Sequence, residues 1–281
     1  MLSDSERVGA GAPLLTAPFL RGMRRPPFWL KVQAVWLVLI LLLTAGLYRL
    51  GLDFSLIREK LPFMLGLRLT PNGFIQGAVL TLVITVVSMA VSLLVAVLTA
   101  LGRLSRNPVA FGVATFYASF FRGTPLLVQV LIIYLALPQF GFVLSGFTSG
   151  ILALSLNYGA YLAETIRAGI ASVPKGQREA AMALGLGRYL IGAKIIAPQA
   201  MRFIIPPAGA QFISMLKDSS LVSIMGLWEL NFLAQSFGRS TYHYMEMLLS
   251  AAVIYWVLSI GLEIVQNRLE RRFGRSVVTE R

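Results

Sequence analysis

The sequence lacks cysteine, and it has a single histidine, His243, among its 281 residues. Disulfide bridges and thiolate-bound metals are therefore excluded, and one imidazole leaves little room for histidine catalysis or a histidine-rich metal site. Charged side chains are also scarce, at 13% of the chain, whereas soluble domains carry about a quarter. These absences argue against a disulfide-rich secreted domain, a metal centre and an ordinary soluble globular protein.

Motifs for nucleotide binding are missing as well. No G-x-x-x-x-G-K-[ST] run occurs, so the chain has no loop of that kind to hold ATP phosphates. Gly185 and Gly187 lack the third glycine of a dinucleotide fingerprint and follow no predicted strand. We predict no catalytic residue, no cofactor and no metal on this chain.

Long apolar runs dominate instead, because hydrophobic residues make up 57% of the sequence. Runs of about 20 apolar residues match the thickness of a bilayer core. We predict an all-α polytopic membrane protein in which even the first run, which begins near Trp29, is a true span rather than a signal peptide. The six predicted transmembrane helices lie at about residues 29–50, 74–101, 109–137, 150–170, 201–228 and 246–266.

The basic residues set the predicted orientation. The net charge of +13 is consistent with Lys and Arg retained on the cytoplasmic side of a membrane protein, and does not require nucleic acid as a partner. Most of the 25 basic residues fall in the two tails, 1–28 and 269–281, and in the short loops on the same side. Both termini are therefore predicted to be cytoplasmic, and residues 51–73 extracytoplasmic.

One polar stretch, residues 174–198, interrupts the apolar runs with five charged side chains and cannot cross a bilayer. Residues 177–184 favour a helix because they are rich in Ala, Leu, Met and Glu. Gly185 then loosens the backbone, and a second helical run, 188–196, is predicted to end at Pro198. We predict a helix, a glycine break and a helix held at the cytoplasmic membrane surface.

This stretch resembles the cytoplasmic loop of binding-protein-dependent ABC permeases, in which Glu-Ala-Ala is followed at fixed spacing by Gly and by Ile-x-Leu-Pro. The residues in register are Glu179, Ala180, Ala181, Gly185, Ile195 and Pro198, while Ala197 stands where the pattern has Leu. The resemblance implies a coupling helix that docks into a nucleotide-binding subunit. Glu179, next to Arg178, can pair with a basic residue of that partner, and the two alanines permit close backbone approach.

Polar residues inside the predicted spans are the second candidate site. Lys217, Asp218, Ser219 and Ser220 interrupt the fifth span, where a charge is costly and normally faces a pathway or a partner. The alternative is that Lys217 and Asp218 neutralise each other or mark the end of the span.

The fourth span adds a polar stripe. Asn157, Tyr161 and Glu164 fall at i, i+4 and i+7, on one helical face. With Gln129 from the third span they can line a polar route through the membrane. The alternative for Asn157 and Tyr161 is hydrogen bonding between packed helices.

Three further segments are similar to permeases of the histidine, glutamine and arginine type: FFRGTPLLVQ, SLNYGAYLAETIRAGI and LKDSSLVSI. The likeness covers about residues 74–268, the predicted ABC permease domain, so that span 29–50 is extra to a five-helix core. It implies a multi-pass permease of the cell inner membrane that carries a polar amino acid. The implied partners are an ABC ATPase subunit with its ATP and Mg²⁺, an extracytoplasmic solute-binding protein, and a second permease chain, identical or not.

Two other functions remain open at this stage. One is a secondary transporter or channel driven by an ion gradient, with Asp218 and Glu164 as ion sites. The other is a membrane scaffold that does not transport. The sequence does not name the amino acid.

Overall fold

The computed structural model describes residues 28–49, 51–70 and 72–273. Within these ranges the chain is helical with short connections, and its one isolated β-bridge joins Gly77 to Glu229. The predicted all-α fold class is confirmed. The chain divides between Leu52 and Asp53 into two compact units. Residues 1–27 and 274–281, which form most of the predicted tails, lie outside the described residues.

The described part of the first unit contains one helix, α1, Phe28–Arg49. Nearly all of its side chains are exposed, most of them are apolar, and the helix is long enough to cross a membrane. A helix that is hydrophobic all round needs either a protein core or lipid around it. Its bounds match the predicted first span within one residue.

The second unit contains ten α-helices in the described residues. Three of them continue into other helical forms: α5 into a π-helix, Ile132–Ala136, and a 3-10 turn, Leu137–Phe140; α8 into a π-helix, Ile191–Ile196; and α9 into a 3-10 helix, Ser219–Met225. In chain order the ten are α2 Phe54–Leu65, α3 Gly77–Leu104, α4 Pro108–Gly123, α5 Leu126–Leu131, α6 Gly146–Ala171, α7 Lys175–Ala183, α8 Arg188–Leu190, α9 Ala197–Asp218, α10 Leu230–Thr241 and α11 Tyr244–Phe273.

Helices α1, α3 and α11 are long and apolar enough to span a membrane, among the residues described. Helix α4 and the helical segment that ends at Phe140 make a fourth candidate if this pair, bent by 106°, is one broken span. Helices α6 and α9 carry more polar residues, so the predicted count of six spans stays a prediction. The break falls at Thr124 and Pro125, inside the predicted third span, because Pro125 lacks the N–H group that would continue helix α4.

Helices α3 and α6 form the central pair of the second unit. Their contact faces carry buried serines, alanines and glycines, which let two helices approach closely. Two reciprocal hydrogen bonds join them: Ser92 Oγ donates to the Ser155 carbonyl at 3.3 Å, and Ser155 Oγ donates to the Ser88 carbonyl at 3.2 Å. This pair supports the polar face of α6 on which the candidate site is built.

The predicted spans leave residues 229–245 as the connection between the fifth and the sixth, with no helix predicted there; most of this stretch is helix α10. Glu229 caps the helix: its carboxylate accepts from the Phe232 amide at 2.7 Å and from the Asn231 amide at 2.9 Å. It also accepts from the Tyr255 hydroxyl of α11 at 2.8 Å. An acidic N-cap followed by an apolar face is a helix signal, and it outweighs the polar residues that suggested a loop.

Replacing Glu229 by alanine is expected to destabilise the protein. Glu229 is fully buried, so its loss leaves two backbone amides and a tyrosine hydroxyl without their acceptor. Losing the cap and leaving these buried donors unsatisfied costs about 2–4 kcal/mol of folding stability. The thermal unfolding temperature in detergent should fall by roughly 5–10 °C. The control is Glu59→Ala, since Glu59 is 65% exposed, and it should change that temperature by little.

Candidate functional site

The predicted glycine break in the polar loop is present. Helix α7 ends at Ala183, and Gly185 adopts a φ of +74°, in the left-handed region that favours glycine. The Gly185 amide donates to the Met182 carbonyl at 2.9 Å, and the Leu186 amide donates to the Ala181 carbonyl at 3.1 Å. These bonds close the end of α7 and turn the chain towards α8.

The loop has a small hydrophobic core of its own. Ala181 and Ile191 are buried against Val173 and Ala200, which lie at the ends of helices α6 and α9, and Ile195 packs beside them half-buried. Because Ala181 is only 4% exposed, it supports the loop from inside and does not offer a surface for a partner's backbone, as the sequence suggested. Of the two alanines, Ala180 is the one at the surface.

Pro198 does not end the second helical run, so that prediction is wrong. The helix passes from α8 through Ile191–Ile196 directly into α9, with Pro198 in the first turn of α9. Proline is tolerated there because the π-helical register already leaves amides at that junction without a regular partner. The loop is therefore continuous with a predicted span, which makes a stiff connection.

The outer surface of the loop combines charge with exposed apolar groups. Arg178 and Glu179 are exposed, and within the described part of the chain neither forms an ion pair. Leu184 is 80% exposed and Tyr189 is 83% exposed. Large apolar side chains left in this way beside free charges indicate a surface that another protein covers.

A cavity of about 360 Å³ lies between the break after α4, helix α6 and helix α9. It brings together part of the predicted set of polar residues. Its lining residues are Thr124, Pro125, Leu126, Asn157, Tyr158, Tyr161, Gln211, Ser214 and Asp218. Three of the residues predicted for the route, Asn157, Tyr161 and Asp218, therefore face one space.

Asp218 accepts a hydrogen bond from the Tyr158 hydroxyl at 2.7 Å. It forms no ion pair with Lys217 in the ranges that the structure covers, so mutual neutralisation of the two is not what the structure shows. Lys217 and Ser220 instead line a separate cavity of about 560 Å³ with residues of α10 and α11. Ser219 is buried and donates to the Leu216 carbonyl at 2.7 Å, which stabilises the turn.

Gln129 lies behind the cavity wall rather than in its lining. Its amide nitrogen donates to the carbonyls of Phe121 and Thr124, at 2.9 and 3.1 Å, so it satisfies the backbone freed by the break. Its oxygen accepts from the Asn157 side chain at 3.1 Å. Gln129 thus fixes the break against α6. Its bond with Asn157 is a hydrogen bond between packed helices, which was the alternative considered for Asn157.

Glu164 is the centre of an ion-pair cluster that sequence reasoning missed. Its carboxylate pairs closely with Arg103 of α3 and Arg167 of α6, and lies 3.5 Å from the guanidinium of Arg122 at the end of α4. Glu164 is not among the residues that line the cavity. Arg167, three residues on along the same helix, was a readable signal, but the other two arginines come from distant helices.

The candidate membrane helices are broken and polar, a cavity lies between them, and the exposed loop is stiff. This combination is typical of one class of protein, the membrane transport subunits. Residues 92–275 match the family described as binding-protein-dependent transport system inner membrane component. The chain belongs to this family.

Several relatives are named as permease proteins. The arginine transport system permease protein ArtQ of Bacillus subtilis is 38% identical over 225 residues, which are 79% of this chain and 98% of that protein. The L-cystine transport system permease protein TcyB of the same organism is 42% identical over 210 residues, 74% of this chain and 83% of that protein. A putative glutamine transport system permease protein, GlnP of Rickettsia conorii, is 38% identical over 199 residues, 70% of this chain and 91% of that protein.

Solved structures agree with this family. The crystal structure of an amino acid ABC transporter with histidines matches with a TM-score of 0.70 and 37% identity, over 79% of this chain and 99% of that one. An inward-facing MetNI methionine ABC transporter matches with a TM-score of 0.60 at 18% identity, over 69% of this chain and 93% of that one, and shows the fold alone.

Proposed function

We propose that this chain is the membrane subunit of an ATP-driven importer that carries a polar amino acid. Family membership and the amino-acid permeases among its relatives support this proposal. The cavity between α4, α6 and α9 has the size and the polar lining that a small zwitterion needs. The chain would lie in the cell inner membrane as a multi-pass protein with both termini in the cytoplasm.

The polar loop is proposed to engage a separate ATPase subunit, which would hold the ATP and Mg²⁺. The observation that carries this proposal is the unbroken helix from Arg188 into α9, since it can transmit a push on the loop to a predicted span. Arg178, Glu179 and Ala180 would contact the ATPase, with Leu184 and Tyr189 beside them. Ala181 and Ile195 would keep the loop stiff from within, Pro198 would lie in the first turn of the helix that the loop joins, and Gly185 would set its turn.

Two further partners complete the proposal. An extracytoplasmic solute-binding protein would deliver the amino acid, and a second permease chain, identical or similar, would form the other half of the membrane unit. The substrate route would run past Asp218, Asn157 and Tyr161, with Gln129 supporting the wall. Lys217, Ser219, Ser220 and Glu164 were predicted for the same route; they lie outside this cavity's lining and would act on the route from neighbouring positions.

Uptake into proteoliposomes tests the proposal. The permease is reconstituted with its ATPase, and the solute-binding protein is added outside with a radiolabelled mixture of the twenty amino acids. We expect uptake that requires both internal ATP and the binding protein, and that survives ionophores. Uptake driven by an imposed ion gradient without ATP would contradict the proposal and favour a secondary transporter. If none of the twenty amino acids accumulated, the result would contradict the assigned substrate class.

A further inference from the structure

The ion-pair cluster around Glu164 has more positive than negative charge. Three guanidinium groups, from Arg103, Arg122 and Arg167, converge on this single carboxylate. Arg167 takes one carboxylate oxygen with two N–H groups, and Arg103 takes the other. Since one carboxylate balances one cation, the cluster retains a net positive charge.

Arg122 is the arginine that this carboxylate binds least. Its nearest contact with Glu164 is the 3.5 Å ion pair, to an oxygen already bound by Arg103. Its side chain is 40% exposed, against 19% for Arg103. A guanidinium has five N–H donors in a planar fork that fits a carboxylate. Most donors of Arg122 are therefore available to a further acceptor.

Arg122 is not itself among the residues that line the cavity, but it lies beside two that are. Its guanidinium sits over the ring of Tyr161, 5.6 Å from the centroid, and its carbonyl accepts from the Tyr161 hydroxyl at 3.4 Å. Tyr161 and Thr124, two residues after Arg122, both line the cavity. Asp218 supplies a carboxylate to the same cavity. The cavity thus has an anionic group in its lining and a cationic group at its edge.

We propose that Arg122 is a specificity-determining residue that binds the α-carboxylate of the transported amino acid as it passes through the cavity. The inference rests on the proposed function, since it assigns one end of that substrate to one residue. An amino acid carries an ammonium and a carboxylate on one carbon, so a cavity with opposite charges matches it. Glu164 occupies the guanidinium groups of Arg103 and Arg167, which leaves Arg122 free for the substrate.

Equilibrium binding to the purified permease–ATPase complex, without the solute-binding protein, tests this proposal. The probes are the radiolabelled L-amino acid that gives uptake in proteoliposomes and its α-carboxamide, which has the same side chain but no carboxylate. Arg122→Gln should weaken binding of the acid about 10- to 100-fold, the range for losing a charged hydrogen-bonded contact. It should change binding of the amide less than about twofold, because the amide offers no anion. Arg122→Lys keeps the charge but not the planar fork, so its affinity for the acid should lie between those of Arg122→Gln and the unsubstituted complex.

Arg106→Gln is the matched control, because Arg106 is an exposed arginine in the turn after α3. It should leave the binding of both probes unchanged. Equal weakening of acid and amide in Arg122→Gln would overturn the proposal, since it would show a structural effect on Tyr161. Unchanged acid binding, or no binding of the acid to the unsubstituted complex, would also overturn it. Each of these outcomes leaves ATP-dependent uptake intact as a separate test of the proposed function.

Discussion

Replacing Gly185 by valine is expected to abolish most ATP-dependent uptake while the ATPase subunit continues to hydrolyse ATP. Gly185 holds a φ of +74°, which a β-branched side chain adopts only with strain. The left-handed region costs an ordinary residue about 1–2 kcal/mol, and valine more, so the loop would leave this conformation in most molecules. Because the loop is continuous with α9, its distortion would disconnect the proposed ATPase partner from a predicted span. Initial uptake rates should fall by about tenfold or more, since 1.4 kcal/mol corresponds to a factor of ten.

Gly187→Val is the matched control for this prediction. Gly187 lies two residues further on, and its φ of −67° is open to any residue. An added side chain at either glycine meets open space, so steric contact within the chain does not distinguish the two positions. Uptake by Gly187→Val should stay within about twofold of the unsubstituted protein, the scatter of a near-neutral surface change. Equal loss in both variants would argue against a role for the left-handed turn.

Replacing Asp218 by asparagine is expected to reduce uptake by about 10- to 100-fold without unfolding the protein. Asparagine has nearly the same shape as aspartate, and its side-chain oxygen can still accept the hydrogen bond from Tyr158. The change therefore removes mainly the negative charge from the cavity. A charged hydrogen-bonded contact contributes about 1.5–3 kcal/mol, which gives the expected factor. The measurement is the initial uptake rate, normalised to the permease in the membrane.

Lys217→Met is the control for the Asp218 variant. Lys217 is the adjacent residue and also charged, but it lines a different cavity. Its loss should affect uptake much less than the loss of Asp218. If Lys217→Met abolished uptake and Asp218→Asn did not, the substrate route would lie on the other face of α9. Normal uptake by both variants would contradict a polar route past this segment.

The sequence predicted the parts of this structure that depend on local pattern. Apolar runs located α1, α3 and α11, and the residue pattern of 174–198 located both helices and the glycine break at Gly185. The break at Pro125 also has a local signal in the sequence, because proline interrupts a helix at its own position. Helical periodicity also placed Asn157 and Tyr161 on one face of α6, and both line the cavity.

The features that the sequence did not reveal depend on partners far away along the chain. Arg103 and Arg122 reach Glu164 only because α3, α4 and α6 pack together. Helix α10 was not predicted, since its stability comes from a buried face and from the Tyr255 contact to Glu229. Pro198 was assigned as a helix end because a π-helical junction cannot be recognised from propensities.

Side-specific labelling tests the central proposal, that the stiff, exposed loop at residues 174–198 docks with a cytoplasmic ATPase. The natural chain has no cysteine, so Leu184→Cys introduces a single reactive thiol at a position that is 80% exposed. A membrane-impermeant maleimide should label it in inside-out vesicles stripped of the ATPase, and not in intact spheroplasts. Adding the ATPase back should protect it. Labelling from the outer face, or no protection by the ATPase, would contradict the account.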